Sequence, residues 1–310
     1  MLSGGPRLTA KAVIAAAFLT LFGSASVASA TPSLWVVKSP MATIYLFGTI
    51  HLLEQNQDWE TPAVREALAA SQEIWFEAPD FEDTATAQKL LPGLGYDAQH
   101  PLSTLLPPKA LARLRRDASA AGLPQGEATL EPMRPWLAAL ALADAQMVHA
   151  GFDPNAGVEH ALLEQWRDSR KPVRGFETLD QQLHFFADMP PQLQVDVLEN
   201  TLEEFDQGVE KLKAIVAAWM KGDQKTITGL IVDELRKPFP ELYRTLIVAR
   251  NERWAERIAG MLQEHGVRFV AVGAGHLAGP ESVQAKLSAR GIPVELVSAK
   301  GAEPDVRPPR

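Results

Sequence analysis

Residues Ile44 to His51 read IYLFGTIH, and residues Phe269 to His276 read FVAVGAGH. Each is an apolar, β-prone run that breaks at a glycine and presents a histidine three residues later, Gly48 to His51 and Gly273 to His276. A strand buried on both faces reads as such a continuous apolar run, and parallel sheets in α/β proteins are built from these strands. Ligand sites of open α/β sheets lie outside the carboxyl ends of the strands, where each imidazole would emerge. Glycine lets the backbone bend and come close to a ligand, and Gly273 is read as a tight turn open to positive φ. Neighbouring parallel strands would bring the two histidines together at one edge of a sheet.

The sequence around these runs fits an α/β core. Leu34 to Val37 and Thr43 to Phe47, split by Ser39-Pro40, read as a hairpin. Thr61-Pro62 opens a helix to about Ser71, with Thr as N-cap and Pro at the first helical position. Glu73 to Glu77 (EIWFE) reads as a short strand. From Pro107 to about Asn251 helical periodicity takes over, with Leu111, Leu114 and Ala118 on one face, and likewise Leu137, Leu140 and Ala141, and Leu198, Leu202 and Phe205. A strand at Pro172 to Phe176 interrupts this block, and Trp219 to Asp223 (WMKGD) ends one helix at Gly222 and starts another at Asp223. A helix from Arg250 to His265, a helix from Pro280 to Arg290 and a strand from Pro293 to Val297 complete the pattern. The expected fold is a central β-sheet flanked by helices, with a large, mostly helical insertion between the N-terminal and C-terminal strand motifs.

Two imidazoles at strand ends can share a metal if a carboxylate completes the set, and the chain contains no cysteine to do so instead. Glu77 is the candidate, because a carboxylate after apolar Ile74, Trp75 and Phe76 is costly unless paired, hydrogen-bonded or metal-bound. The remaining histidines, His100, His149, His184 and His265, lack this context, and His160 is read as solvated on a polar helix face.

Composition narrows the function classes. Acidic residues outnumber basic ones 38 to 30, giving a net charge of −8, which does not suit non-specific nucleic-acid binding. The absence of cysteine excludes disulfides, a thiol nucleophile and a Cys-ligated zinc site. Residues 1–30 read as a signal peptide: Arg7 and Lys11, then an apolar run from Val13 to Phe22, then Ala28-Ser29-Ala30 as the cleavage signature. Cleavage removes two positive charges and leaves no stretch long and apolar enough to span a bilayer. The expectation is an exported protein, periplasmic or secreted, with one domain over 31–300 and a disordered tail over 301–310.

The segments LFGTIHLL, EIWFEA and FVAVGAGHLAG, in this order and spacing, resemble the TraB/GumN family, which is related to the Tiki metalloproteases. PVRGFETLDQQL (172–183), WMKGD (219–223) and RNERW (250–254) match further family segments, with Phe176 where Leu is usual. The resemblance runs from about Trp35 to Val297 and extends to the erythromycin-esterase and ChaN-like folds. It implies His51, Glu77 and His276 as metal ligands and Glu77, Glu177, Arg250 and Asn251 as a catalytic set. It also implies a divalent ion (Mn, Co or Zn) and a peptide or protein substrate. Glu177 is read as ligand, general base or orienter of a histidine, with capping of the helix from Thr178 as the plain alternative. Arg250 is read as an oxyanion or carboxylate binder, with a surface ion pair as its alternative. Glu159, in a GVEH segment where relatives often carry an acidic residue, is left outside the set. A second functional reading, from the ChaN resemblance, is a haem- or metal-binding protein without hydrolysis, with Tyr45 as the tyrosine near a motif.

Overall fold

The computed structural model describes residues 31–298. The signal-peptide reading and the tail reading fall outside them. Leu34–Lys38 (β1) and Ala42–Thr49 (β2) pair antiparallel as the expected hairpin, Leu34 opposite Phe47 and Lys38 opposite Thr43. Ser39 shapes the turn by accepting from the Ala42 amide at 3.0 Å. Pro62–Ala70 (α1) starts at Thr61, whose hydroxyl accepts from the Val64 amide, and leads into Glu73–Phe76 (β3). After a run of helices, Val158–Ser169 (α2) precedes the short strand Val173–Gly175 (β4). Leu179–Ala187 (α3), the long Pro191–Met220 (α4) and Ala249–Met261 (α5) follow. Gly266–Gly273 (β5), Val283–Ala289 (α6) and Val294–Leu296 (β6) close the fold.

The six strands form one mixed sheet in the order β4-β3-β5-β2-β1-β6. β4, β3, β5 and β2 run parallel, so their carboxyl ends share one edge. Gly48 lies opposite Val272, and Thr49 opposite Gly273, which sets the two motif glycines almost level. Strand residues alternate between two cores, as the period of two requires. Ile44, Leu46, Trp75, Val270 and Val272 pack with Trp254, Ile258 and Met261 of α5 and Val283 and Leu287 of α6. Phe47, Ile74, Phe76, Phe269 and Ala271 pack on the other side with Val64, Leu68, Leu162, Trp166 and Trp219. The helical insertion has a core of its own, in which Leu114, Ala118, Leu142, Leu198, Leu202 and Phe205 are buried.

Two local expectations change. Leu140 is exposed, and the helix over 135–149 instead buries Ala138, Ala139 and Leu142, since alanines let it sit close against α4. The helix read as Arg250 to His265 ends at Met261, and its N-terminal side continues into a π-helical turn, Arg244–Val248. A second π-helical turn spans Thr228–Asp233, beyond the Gly222 and Asp223 caps. Such turns take an extra residue into the helix and occur often at functional sites.

Candidate active site

Each of the four parallel strands delivers one ionisable side chain to the common edge. β2 leads to His51, β3 to Glu77, β4 to Glu177 and β5 to His276. The sites of approach are steric. A Cβ on Gly48 would lie 3.1 Å from Ala274 Cα, so glycine is what lets the two strand ends close together. A Cβ on Gly273 would lie 3.1 Å from Glu77 Oε1, 3.9 Å from His51 Nε2 and 3.8 Å from His276 Cδ2. The three side chains therefore converge on the space that the missing Gly273 side chain leaves. Gly273 itself has φ −49°, so its glycine is required for room and not for left-handed backbone.

His276 sits in a 3-10 turn, Ala274–Leu277, buried against Trp254 with ring centroids 4.4 Å apart. Asn251 fixes its ring. The Asn251 amide nitrogen donates to the carbonyls of His276 and Glu281, at 3.2 and 2.8 Å. Its oxygen therefore faces His276 Nδ1 at 2.6 Å, which places the ring proton on Nδ1 and leaves the Nε2 lone pair facing the centre. Burial, with the positive charges of Arg250 and His51, outweighs the pull of Glu77 and lowers the His276 pKa to about 3, so this imidazole is neutral.

His51 is the open member of the set. Its side chain is 72% exposed, against 7% for His276. Glu159, in the first turn of α2, holds His51 Nδ1 at 2.8 Å and also accepts from the Thr49 hydroxyl. The Glu159 carboxylate raises the His51 pKa above its ordinary range. The other Glu159 oxygen is buried without a hydrogen-bond partner among the described residues. Close contact between α2 and the His51 loop depends on Gly157, where a Cβ would meet the His51 carbonyl.

Glu77 lies between the histidines. Its Oε1 accepts from the Gly273 amide at 2.7 Å and stands 3.6 Å from His276 Nε2. Its Oε2 accepts from Arg250 Nη2 at 2.5 Å and from Gln182 Nε2 at 3.1 Å. Burial opposes its ionisation, but its pKa is pulled down to about 2 by His276, which becomes cationic only in the acid range where Glu77 titrates, and by Arg250, His51 and the Gly273 amide. Arg250 is buried and reaches across the site. It bonds Glu177 through Nε at 3.0 Å to each oxygen and through Nη2 at 2.8 Å, and donates from Nη1 to His276 Nε2 at 3.1 Å. The surface-pair reading of Arg250 is thereby replaced by a buried one. Glu177 does not cap the following helix, because Thr178 does so through a capping box with Gln181. With both oxygens on Arg250 and its side chain 4% exposed, Glu177 holds the guanidinium in place and is badly placed to act as a base.

The family's sequence profile matches residues 33–296. The chain belongs to the TraB/PrgY/gumN family. Among its relatives are an uncharacterized protein of Treponema pallidum, 23% identical over 80% of this chain and 78% of its own length. Escherichia coli YbaP is 24% identical over 46% of this chain and 52% of its own. Metalloprotease TIKI2 of Danio rerio is 25% identical over 84% of this chain and 60% of its own. The chain thus spans between half and two thirds of the latter two relatives. No solved structure matches it.

Within this family member, the structure brings His51, Glu77, Glu177, Arg250, Asn251 and His276 into one cluster. Three participants were missed in the sequence. Glu159 was left outside the set, although it is the carboxylate that holds His51. Its burial comes from packing on the β2 end, which no spacing within α2 reveals. Gln182 contacts both Glu77 and Glu177, the latter at 3.4 Å, from the next turn after the FET segment. Thr49 had one available signal, its position inside the first Gly-x-x-His motif. His160, read as solvated, is half-buried, with Nδ1 at 2.5 Å from Glu82. Tyr45 pairs opposite Phe269 in mid-sheet and lines neither cavity beside the site. Among the described residues no helix is long and apolar enough to cross a membrane.

Proposed function

We propose that this chain is a metal-dependent hydrolase that cleaves peptide bonds at the carboxyl edge of its sheet. The observation that carries this reading is the matched support of the two imidazoles. Each is held at Nδ1 by an outside partner, Asn251 or Glu159; His51 Nε2 borders the Gly273 space where Glu77 Oε1 also lies, and His276 Nε2 stands 3.6 Å from that same oxygen. Such partners behind a histidine fix its ring and tautomer for a metal ligand. The likeness to the relative named as a metalloprotease supports the same chemistry.

The donor set of two imidazole nitrogens and a carboxylate suits Mn, Co or Zn. Among the described residues, no three such side chains already stand in coordinating positions. The fit is one of donor type and direction, and Arg250 Nη1 must release the His276 Nε2 lone pair for a cation to take it. His51, Glu77 and His276 would hold the ion, which when bound would polarise a carbonyl and acidify a water. Glu77, held ionised by its neighbours, suits a ligand better than a proton acceptor. Arg250, once turned from His276, stands beside the centre, where it can stabilise negative charge that develops on a carbonyl oxygen. Glu177 and Gln182 keep the guanidinium and Glu77 in register.

The reading includes export after cleavage near Ala30, which N-terminal sequencing of the secreted or periplasmic protein tests. For the hydrolase, purified protein is stripped with a chelator, reloaded with Mn, Co or Zn, and incubated with a peptide mixture. Cleavage that appears only after reloading and disappears in His51→Ala is the expected result. Cleavage that is indifferent to chelation would contradict the metal assignment.

A further inference from the structure

Two cavities flank the site, and His51 and Glu77 line both of them. One, of about 480 Å³, is mixed in character: Phe76, Phe81 and Pro154 stand beside Glu82, Glu159 and His160. The other, of about 420 Å³, is walled by Ile50, Leu52, Leu212, Ile215, Ile231 and Ile247, with Arg250 and His276 beside the shared centre. These aliphatic side chains come from separate elements: the His51 loop, α4, and the two π-helical turns over 228–233 and 244–248. No aromatic side chain contributes to this wall, and Glu77 is its one carboxylate among the described residues. Gly275 brings Ile231 close, since a Cβ there would lie 2.9 Å from Ile231 Cγ2.

Apolar side chains this numerous around an unfilled space favour an apolar occupant, because a site of 300–1,000 Å³ gains most from the area it removes from water. Both cavities meet at the same two functional residues. A substrate that fills them therefore has its reacting bond in its interior, with chain on both sides. That suits an extended polypeptide better than a molecule that reacts at its end.

We infer that the aliphatic cavity receives a branched aliphatic side chain, Leu, Ile or Val, next to the scissile bond of a polypeptide substrate. Leu212, Ile215, Ile231 and Ile247 determine this specificity. The inference rests on the hydrolase reading above and specifies its substrate.

The test uses the full mature chain loaded with Mn or Co and a mixed peptide library, with cleavage sites read by mass spectrometry. Leu, Ile and Val should be enriched at one position beside the cut. For a matched peptide pair with Leu or Gly at that position, the ratio of kcat/KM should favour Leu by at least about tenfold, the scale at which apolar pockets discriminate. Ile215→Trp, which narrows the cavity from a partly buried position on α4, should erase most of that ratio, and Ile215→Ala should extend acceptance to Phe. Cleavage without aliphatic enrichment, or a ratio unchanged in Ile215→Trp, overturns the inference and leaves the hydrolase reading standing. If the wild type cuts nothing with any metal, the hydrolase reading fails. Fluorescence anisotropy on the same peptide pair then decides the cavity alone: tighter binding of the Leu peptide that is lost in Ile215→Trp supports it, and equal binding overturns it.

Discussion

Replacing Arg250 with Met probes the electrostatic core of the site. The substitution keeps a flexible, apolar stem of similar length and removes the guanidinium. Three contacts to Glu177, at 3.0, 3.0 and 2.8 Å, are lost, together with those to Glu77 at 2.5 Å and His276 at 3.1 Å. Glu177 and Glu77, with side chains 4% and 15% exposed, then face each other without their shared cation. Removing one partner of a buried ion pair costs about 3–5 kcal/mol, because the remaining charge stays desolvated. At about 2 °C per kcal/mol for a domain of this size, the melting temperature should fall by about 6–10 °C. Replacing Glu177 with Leu in the same chain should return part of the loss, since it removes one of the two carboxylates that lose Arg250 and leaves Glu77 with His51 and the Gly273 amide. The effect also has a pH signature. The Glu77 pKa, about 2 when folded, lies below its unfolded value. Its stabilisation is complete above about pH 4.3 and is lost as pH falls toward 2. The gap between wild type and variant should narrow over that window. Thermal and urea unfolding followed by circular dichroism measure all of this. A single-variant cost below about 1 kcal/mol, or a double variant whose loss is the sum of the two singles, would refute the reasoning.

Gly273→Ala places a methyl group among Glu77, His51 and His276, so metal affinity and turnover should fall together by at least about tenfold while the far-ultraviolet spectrum is unchanged; unaltered affinity would remove Gly273 from the site. Glu159→Gln keeps the shape that holds His51 but drops the charge, so the His51 titration in metal-free protein, followed by NMR, should move down toward the ordinary histidine value; no movement would show that Glu159 does not set it. The His276 pKa, about 3 when folded, lies below the unfolded histidine value. Its contribution to stability is therefore complete above about pH 6.5 and is lost as pH falls toward 3, and His276→Gln should flatten that part of the stability–pH curve.

Much of the site was legible because it is built from strand ends. The runs IYLFG and FVAVG are continuous and apolar, which is what strands covered on both faces require, and each announces the histidine that follows. Glu77 was legible for the same reason, as a carboxylate after EIWF. What the chain does not reveal locally is how helices meet those ends. Glu159 reads as an ordinary acidic residue in a helix first turn, and only its packing against the His51 loop makes it a buried partner of an imidazole. Arg250 entered the set through the resemblance, with a surface ion pair as the alternative that its amphipathic helix offered; its contacts with Glu177, Glu77 and His276 are what bury it in the centre. The strand-end spacing does not show that a 3-10 turn carries His276 under Trp254, so that its removal disturbs the core as well as the chemistry. The exposed Leu140 shows the opposite limit, since neighbouring alanines on the same helix take the buried positions.

Direct titration of the chelator-stripped protein with Mn or Co by calorimetry, beside His51→Ala, tests the central claim most directly. His51 is the exposed member of the set, so its loss spares the fold while removing a donor. The account predicts one ion bound per wild-type chain and at least a hundredfold weaker binding in the variant, with an unchanged far-ultraviolet spectrum in the absence of metal and a lower melting temperature, because Glu159 loses its imidazole partner. Wild-type protein that binds no ion, or a variant that binds it equally well, would contradict a metal centre at His51, Glu77 and His276.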